Sequence, residues 1–297
     1  MVKFMKVAVV MGGCSSEREV SLRSGANIVT ALREAGCEVT EVVLDSESVE
    51  CLRGFDGAVY IALHGGYGEN GGIQADLEKL GLPYTGSGPE ASRIAMDKVL
   101  SKRIFDKAGI PNAPYEVLGP GENTTKLNFP VVVKPPRDGS SVGLTCPCRE
   151  DEFAAALARA REVDPEVLVE EFIPGLEWTV AVIAGESLPV IQIEPKSGVY
   201  DYEAKYTAGA TVETALDDTD ATLKCRALAV EACKAIGVRG LARVDFRVTP
   251  EGKFYVLEIN TLPGFTATSL VPQAAAKAGM SRCELCARVL NMASCGE

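Results

Sequence analysis

The chain is expected to fold as mixed α/β, in part α+β, and three observations carry that expectation. Buried-strand and amphipathic-helix patterns alternate from Lys6 onward, the signal of a parallel sheet covered by helices. Toward the other end, two apolar runs around Thr249-Pro-Glu-Gly alternate with period two, the signal of paired antiparallel strands. At 297 residues the chain has room for two or three modest domains sharing one site.

Lys6-Val-Ala-Val-Val-Met-Gly-Gly reads as a buried strand running into glycines, followed by a helix that ends near Gly36. Ser16 and Glu19 have capping-box spacing, which places Glu17 in the first helical turn, where a carboxylate also favours the helix dipole. Strands follow over 38–44 and 57–63, and the second runs into His64-Gly-Gly-Tyr-Gly-Glu-Asn-Gly-Gly. No Gly-x-Gly-x-x-Gly is present, so the dinucleotide fingerprint is missing. Open α/β sheets bind ligands at the carboxyl ends of their strands, and Glu17 and His64 both lie there. A helix over 72–80 and the segment Gly81-Leu-Pro-Tyr-Thr-Gly-Ser-Gly close a first domain, drawn as 1–96.

One helix is expected from Pro89 through Met96-Asp-Lys98 to Gly109, with Lys98 either solvated or a ligand. Phe129-Pro-Val-Val-Val-Lys134 is a buried strand ending on a lysine, and Arg137-Asp-Gly-Ser-Ser-Val-Gly follows directly. A lysine before a glycine-bearing turn can cradle a phosphate on backbone N–H groups, although an ordinary hairpin turn has the same composition. Its spacing is not that of a Walker A loop. An Ala-rich helix spans 150–161, and Val167-Leu-Val-Glu-Glu-Phe-Ile-Pro-Gly ends a central domain, 97–175, at a Pro-Gly hinge. Strands over 176–183 and 188–193 open the last domain, 176–297. The segment 195–212, with Tyr200-Asp-Tyr-Glu-Ala-Lys-Tyr inside it, reads as a long functional loop. A helix over 221–236 is expected to bury Leu223, Ala227, Val230 and Cys233, and two short helices finish the chain.

The hairpin of 243–260 is the most informative stretch. Pairing Val248 with Lys253 sets Val244 and Phe246 opposite Leu257 and Tyr255, Arg243 opposite Glu258 and Asp245 opposite Val256. One face is then apolar, and the other collects Arg243, Asp245, Glu258 and Asn260. Two carboxylates and an amide oxygen are hard donors suited to Mg²⁺ beside substrate phosphates, while a salt-bridged strand face is the plainer alternative.

Composition narrows the partners. A net charge of −11 argues against nucleic acid, so an anionic ligand would need locally placed cations. No apolar run approaches membrane-spanning length and the first residues lack a signal-peptide pattern, so a cytoplasmic protein without a membrane partner is expected. Ten cysteines then read as reduced thiols. Cys283 and Cys286 form a CxxC, but it lies in a helical pattern and His64 is the only histidine, which disfavours structural zinc.

In order, Gly12-Gly13 with Ser16-Glu-Arg-Glu-Val-Ser, His64-Gly, Met96-Asp-Lys, Val133-Lys-Pro, Gly139-Ser-Ser-Val-Gly, Tyr202-Glu-Ala-Lys-Tyr, Arg243-Val-Asp and Glu258-Ile-Asn-Thr-Leu-Pro-Gly-Phe-Thr span nearly the whole chain. Together they resemble the D-alanine–D-alanine ligases of the ATP-grasp superfamily. Two positions depart from the family pattern: Asn70, where aspartate is usual, and Glu171, where lysine is common.

The resemblance implies an ATP-grasp fold with a Rossmann-like parallel-sheet domain, a small central domain and a C-terminal antiparallel-sheet domain. It implies ATP and two Mg²⁺ or Mn²⁺ ions held by Asp245, Glu258 and Asn260. Lys98, Lys134 and Lys205 would neutralise the phosphates under the turn that carries Ser141, and Glu170, Glu171, Ile173 and Glu177 would hold adenine and ribose. Glu17, linked through Ser140 and Tyr206, would grip the ammonium of the first D-alanine, and His64 would lie near its carboxylate. Arg243 and the Gly264 N–H would stabilise the oxyanion, while Ser269 and Leu270 would receive the second D-alanine. A homodimer is also implied. Another ATP-grasp carboxylate–amine ligase, such as a D-alanine–D-lactate ligase, stays open as the alternative, whereas the metal triad and Arg243 argue against a non-catalytic nucleotide sensor, which needs no oxyanion clamp; Tyr206 is the residue expected to favour the dipeptide over the ester.

Overall fold

The computed structural model describes residues 3–196 and 210–296. Three sheets follow one another along the chain. The first is parallel, with β1 (Lys6–Gly12) between β2 (Glu38–Leu44) and β3 (Ala58–Ile61). Its central run is continuously apolar because both faces are covered. Val7, Val9 and Met11 enter one core with α1 (Arg18–Glu34), while Ala8 and Val10 enter another with Ile73 and Leu77 of α3 (Gly72–Lys79). A single short turn, α2 (Gly66–Glu69), joins β3 to α3.

The expected helix after Pro89 is two helices, α4 (Pro89–Met96) and α5 (Lys98–Ala108). Asp97 takes an extended conformation between them and caps α5, its carboxylate accepting from the N–H groups of Val99 and Leu100. The apolar pattern runs through the break, which is why periodicity alone read one helix.

The second sheet has the order β4-β7-β5-β6, from β4 (Tyr115–Leu118), β5 (Val131–Lys134), β6 (Thr145–Cys148) and β7 (Val167–Glu171), all antiparallel. The helix α6 (Phe153–Arg161) covers one face. The third sheet has the order β11-β10-β8-β12-β13, with β9 (Glu186–Ser187) attached to β8 (Leu176–Ile183). Its remaining strands are β10 (Ile191–Pro195), β11 (Thr211–Ala215), β12 (Leu241–Val248) and β13 (Phe254–Asn260). β11 lies partly inside the segment read as loop, where its alternating half-exposed residues carry little hydrophobic signal.

One face of this sheet packs on α7 (Asp220–Ile236) and the other on α8 (Leu270–Lys277) and α9 (Arg282–Asn291). The second face shares its core with Val7, Val9 and α1, so the first and last sheets meet over one apolar layer. Of the stripe expected on α7, Cys233 is buried and Val230 partly so, but Leu223 is 48% exposed and Ala227 is exposed; Cys225, Ala229, Ala232 and Ile236 complete the buried face. Small residues let the helix lie close on Val180, Val244 and Phe246 of the sheet.

The hairpin register also differs from the sequence expectation. Arg243 pairs with Asn260, Asp245 with Glu258 and Phe246 with Val256, and the extra residue, Leu257, forms a bulge. That bulge reverses the side-chain parity, so Val256 and Ile259 both reach the core although three residues apart, while Glu258 and Asn260 turn to the opposite face. The separation into an apolar and a polar face holds, but the partners across it shift.

Candidate active site

Two cavities meet between the sheets. The larger, about 560 Å³, lies where the first and third sheets face each other; the smaller, about 130 Å³, lies between the second and third. Both are walled by Lys98, Gly139, Ser140 and Glu258, so a group in one can touch a group in the other.

The smaller cavity is built on strand ends. Glu170 near the end of β7 is 3% exposed and sits between two ammonium groups, Lys102 at 2.7 Å and Lys134 at 2.5 Å. Burial pushes its carboxyl up, but the two neighbouring cations outweigh burial and hold it down at about 2. Lys102 also donates to Asn112 Oδ1 at 3.0 Å and to the carbonyl of Ala113 at 2.9 Å. Glu171, Ile173, Glu177 and Ser141 line the same cavity, and Arg247 lies 3.6 Å from Glu177.

The roof is the turn after β5. Arg137 anchors it by donating to both Asp164 oxygens at 2.9 and 3.0 Å, and Lys98 Nζ holds the Asp138 carbonyl at 2.7 Å. Ser140 and Ser141 have φ of 51° and 60°, a left-handed conformation that is strained for non-glycine residues.

In the larger cavity, Ser140 donates to Glu17 Oε1 at 2.7 Å, joining residues 123 apart in sequence. Glu17 is the residue before α1, not in its first turn, and the expected Ser16 capping box does not form. Ser15 is used instead: its hydroxyl accepts from the Glu17 N–H and donates to the His64 carbonyl. His64 is buried, with Nδ1 3.1 Å from the Leu262 carbonyl and Nε2 3.1 Å from Ser24 Oγ. A carbonyl can only accept, so the proton sits on Nδ1 and Ser24 donates to Nε2, while Ser24 accepts from the Phe265 N–H. His64 thereby clamps the 262–265 loop onto α1.

On the hairpin's polar face, Arg243 grips both Asp245 oxygens at 2.9 and 2.8 Å, and Thr179 and Asn260 donate to the same carboxylate. Glu258 lies 3.3 Å from Lys98. Gly264 faces Ser269, whose hydroxyl would lie 2.8 Å from a Cβ at that position, and Leu270 lines the cavity beside it. Lys205 and Tyr206 lie outside the described residues. Every other candidate from the sequence falls on the two cavities. Sequence reasoning missed Lys102, Arg23, Asn27 and Glu213; Arg23 and Asn27 follow Val20 at helical spacing on the cavity side of α1, a signal that was available.

The D-ala D-ala ligase C-terminus family model matches residues 104–291. A D-alanine–D-alanine ligase from Aquifex aeolicus is 45% identical, with 93% of this chain and 96% of that one covered. The chain belongs to the D-alanine–D-alanine ligase family. Another family member, from Syntrophotalea carbinolica, is 47% identical over 97% of this chain and 96% of its own. Among solved structures, the D-alanine–D-alanine ligase of Bacillus anthracis superposes with a TM-score of 0.86 at 34% identity, 97% of each chain being covered. The VanG D-Ala:D-Ser ligase of Enterococcus faecalis reaches 0.84 at 28% identity, over 97% of this chain and 99% of that one.

Among the described residues, no group of three or more His, Cys, Asp or Glu side chains is arranged to hold a metal ion by itself. The hairpin offers two carboxylates and an amide, which fits Mg²⁺ only where phosphate oxygens and water complete its shell. The buried thiols of Cys225, Cys233 and Cys286 are pushed up to about 12 by burial. No helix among the described residues is long and apolar enough to cross a membrane.

Proposed function

We propose that this chain joins two D-alanines into D-alanyl-D-alanine, a peptidoglycan precursor, with cleavage of ATP to ADP and phosphate. The observation that carries this reading is the shared wall of the two cavities: Lys98, Ser140 and Glu258 touch both, as transfer of a phosphoryl group from one ligand to the other requires.

ATP would occupy the smaller cavity, its base beside Glu170, Glu171 and Ile173, its ribose at Glu177 and its phosphates under Ser141 between Lys98 and Lys134. A complex with ATP is known for the Bacillus anthracis relative, 32% identical to this chain. Asp245, Glu258 and Asn260 would hold Mg²⁺ or Mn²⁺, which neutralises phosphate charge when bound. Phosphoryl transfer needs positioning and charge neutralisation above all, and the lysines here are held by Asp138, Glu170 and Glu258.

Glu17, fixed by Ser140, would take the ammonium of the first D-alanine, and its carboxylate would accept the γ-phosphoryl group. The amine of the second D-alanine, seated at Ser269 and Leu270, would then attack the acyl carbon, with Arg243 and the Gly264 N–H facing the developing oxyanion. A guanidinium carries five N–H donors, of which Asp245 takes two, and that grip fixes its plane. Lys205 would add a further cation for the phosphates, and Tyr206 would favour the dipeptide over the ester. We further infer units bounded near 96 and 175, a homodimer and a cytoplasmic location.

The Enterococcus faecalis relative is named as a D-Ala:D-Ser ligase, so the fold alone does not choose the second substrate. The relatives of higher identity favour D-alanine. The test is mass-spectrometric product analysis with ATP, Mg²⁺ and a panel of D- and L-amino acids plus D-lactate. D-Alanyl-D-alanine as the main product is expected; ATP-dependent ester or L-amino-acid products in its place would overturn the assignment.

A further inference from the structure

We propose that Glu213 accepts the proton that the second amino acid must lose before its amine can attack. This inference rests on the ligase reading above. An amino acid near neutral pH carries its nitrogen as ammonium, which has no lone pair, so a ligase of this kind needs a proton acceptor beside the second substrate.

Three observations place Glu213 there. The first is topology: Glu213 lies opposite Ile193, Ile193 opposite Glu177, and Glu177 opposite Arg247. Arg247, Asp245 and Arg243 alternate along β12, so Glu213 stands on the face of the sheet that carries the site. Second, it lines the larger cavity together with Arg243, Gly264, Ser269 and Leu270. Third, Gln273 of α8 donates through Nε2 to Glu213 Oε2 and to the Thr268 carbonyl, the latter at 3.0 Å. Gln273 is one helical turn beyond Ser269, so this bond pins the carboxylate beside the proposed seat of the second substrate.

The charges in the cavity leave this role open for it. Two amino-acid substrates bring two ammonium groups. Among the cavity's acids, Glu17 is bonded to Ser140, Glu258 is paired with Lys98, and Glu69 lies 3.8 Å from His64. Glu213 forms no ion pair of comparable closeness among the described residues; the charged group facing it is Arg243 of β12, and its α8 neighbour Gln273 is neutral. Burial pushes its carboxyl up, and the Gln273 bond and Arg243 only partly offset that, which makes it a better proton acceptor than an exposed glutamate.

The step balances as follows. An N–H bond of the ammonium breaks and its proton moves to the Glu213 carboxylate. The freed lone pair forms the C–N bond to the acyl carbon. The C–O bond to phosphate then breaks, its electron pair leaving with the phosphate, which also takes the second proton from nitrogen. Glu213 returns its proton to solvent when product leaves.

The test compares two products of the same first half-reaction in Glu213→Gln, which keeps an oxygen for Gln273. Hydroxylamine, mostly uncharged at neutral pH, traps the acyl phosphate as hydroxamate and needs no base. Dipeptide formation is expected to fall on the order of 10²-fold, while hydroxamate formation falls less than about threefold. The dipeptide loss should shrink as rising pH supplies the free amine. Glu213→Asp, a base on a shorter stem, should keep more dipeptide activity than Glu213→Gln. Parallel loss of both products, loss of neither, or equal loss in the two variants would overturn the assignment alone. Wild-type protein that forms no hydroxamate would overturn the ligase reading and this assignment with it.

Discussion

Replacing Lys102 with methionine tests how the nucleotide cavity is held together. The ammonium and its partner Glu170 are 2% and 3% exposed, so solvent does not screen the pair. Removing it leaves Glu170 with Lys134 alone and takes a donor from Asn112 Oδ1 and the Ala113 carbonyl. Truncating one partner of a buried pair costs about 3–5 kcal/mol. The carboxyl held at about 2 reflects both ammonium groups acting against burial, so Lys102 supplies part of that depression and Lys134 the rest. At about 2 °C per kcal/mol for a chain this large, melting should fall by roughly 6–10 °C. Because the folded value lies below the unfolded one, Glu170 stabilises the protein above pH 4.5 and loses that effect as pH falls toward about 2. Wild type should therefore lose melting temperature through that window, and Lys102→Met should lose less. Calorimetry at neutral and acid pH, with the KM for ATP, reads both effects. A variant melting within about 2 °C of wild type with an unchanged KM would refute the reasoning.

Other positions give independent expectations. Glu258→Ala should fold but lose nearly all turnover, since the residue both pairs with Lys98 and lies on the wall between the cavities; near wild-type rates at limiting Mg²⁺ would reject its assignment. Gly175→Ala should destabilise by about 1–3 kcal/mol, because φ is 139° and a Cβ would meet the Val248 carbonyl oxygen at 2.1 Å; an unchanged denaturation midpoint would contradict this. Asp97→Ala removes the α5 cap and should cost about 1 kcal/mol in the same assay, with Asp97→Asn costing less.

What the sequence revealed depends on how local each signal was. The apolar run Val7–Met11 and the alternation of Val244, Phe246 and Val248 are local signals, and they marked strands and the polar hairpin face correctly. The hairpin register was not legible, because the bulge at Leu257 adds a residue without a compositional mark. Asp97 is a good capping residue, yet apolar positions on both sides masked the break. The Glu17–Ser140 bond joins residues far apart in sequence, so spacing could not reveal it and only the family resemblance implied it. Lys102 and Glu213 went unread for a shared reason. A lysine in a helix and a glutamate on a half-exposed strand are solvated by default, and only the packed fold shows one buried against Glu170 and the other turned into a cavity.

The most direct measurement follows oxygen. If the carboxylate of the first D-alanine attacks the γ-phosphate, one of its oxygens must leave with the phosphate when the peptide bond forms. D-Alanine labelled with ¹⁸O in the carboxylate, incubated with the enzyme, ATP and Mg²⁺, should give one ¹⁸O in each released phosphate for every D-alanyl-D-alanine formed. Unlabelled phosphate accompanying the dipeptide would contradict transfer between the two cavities.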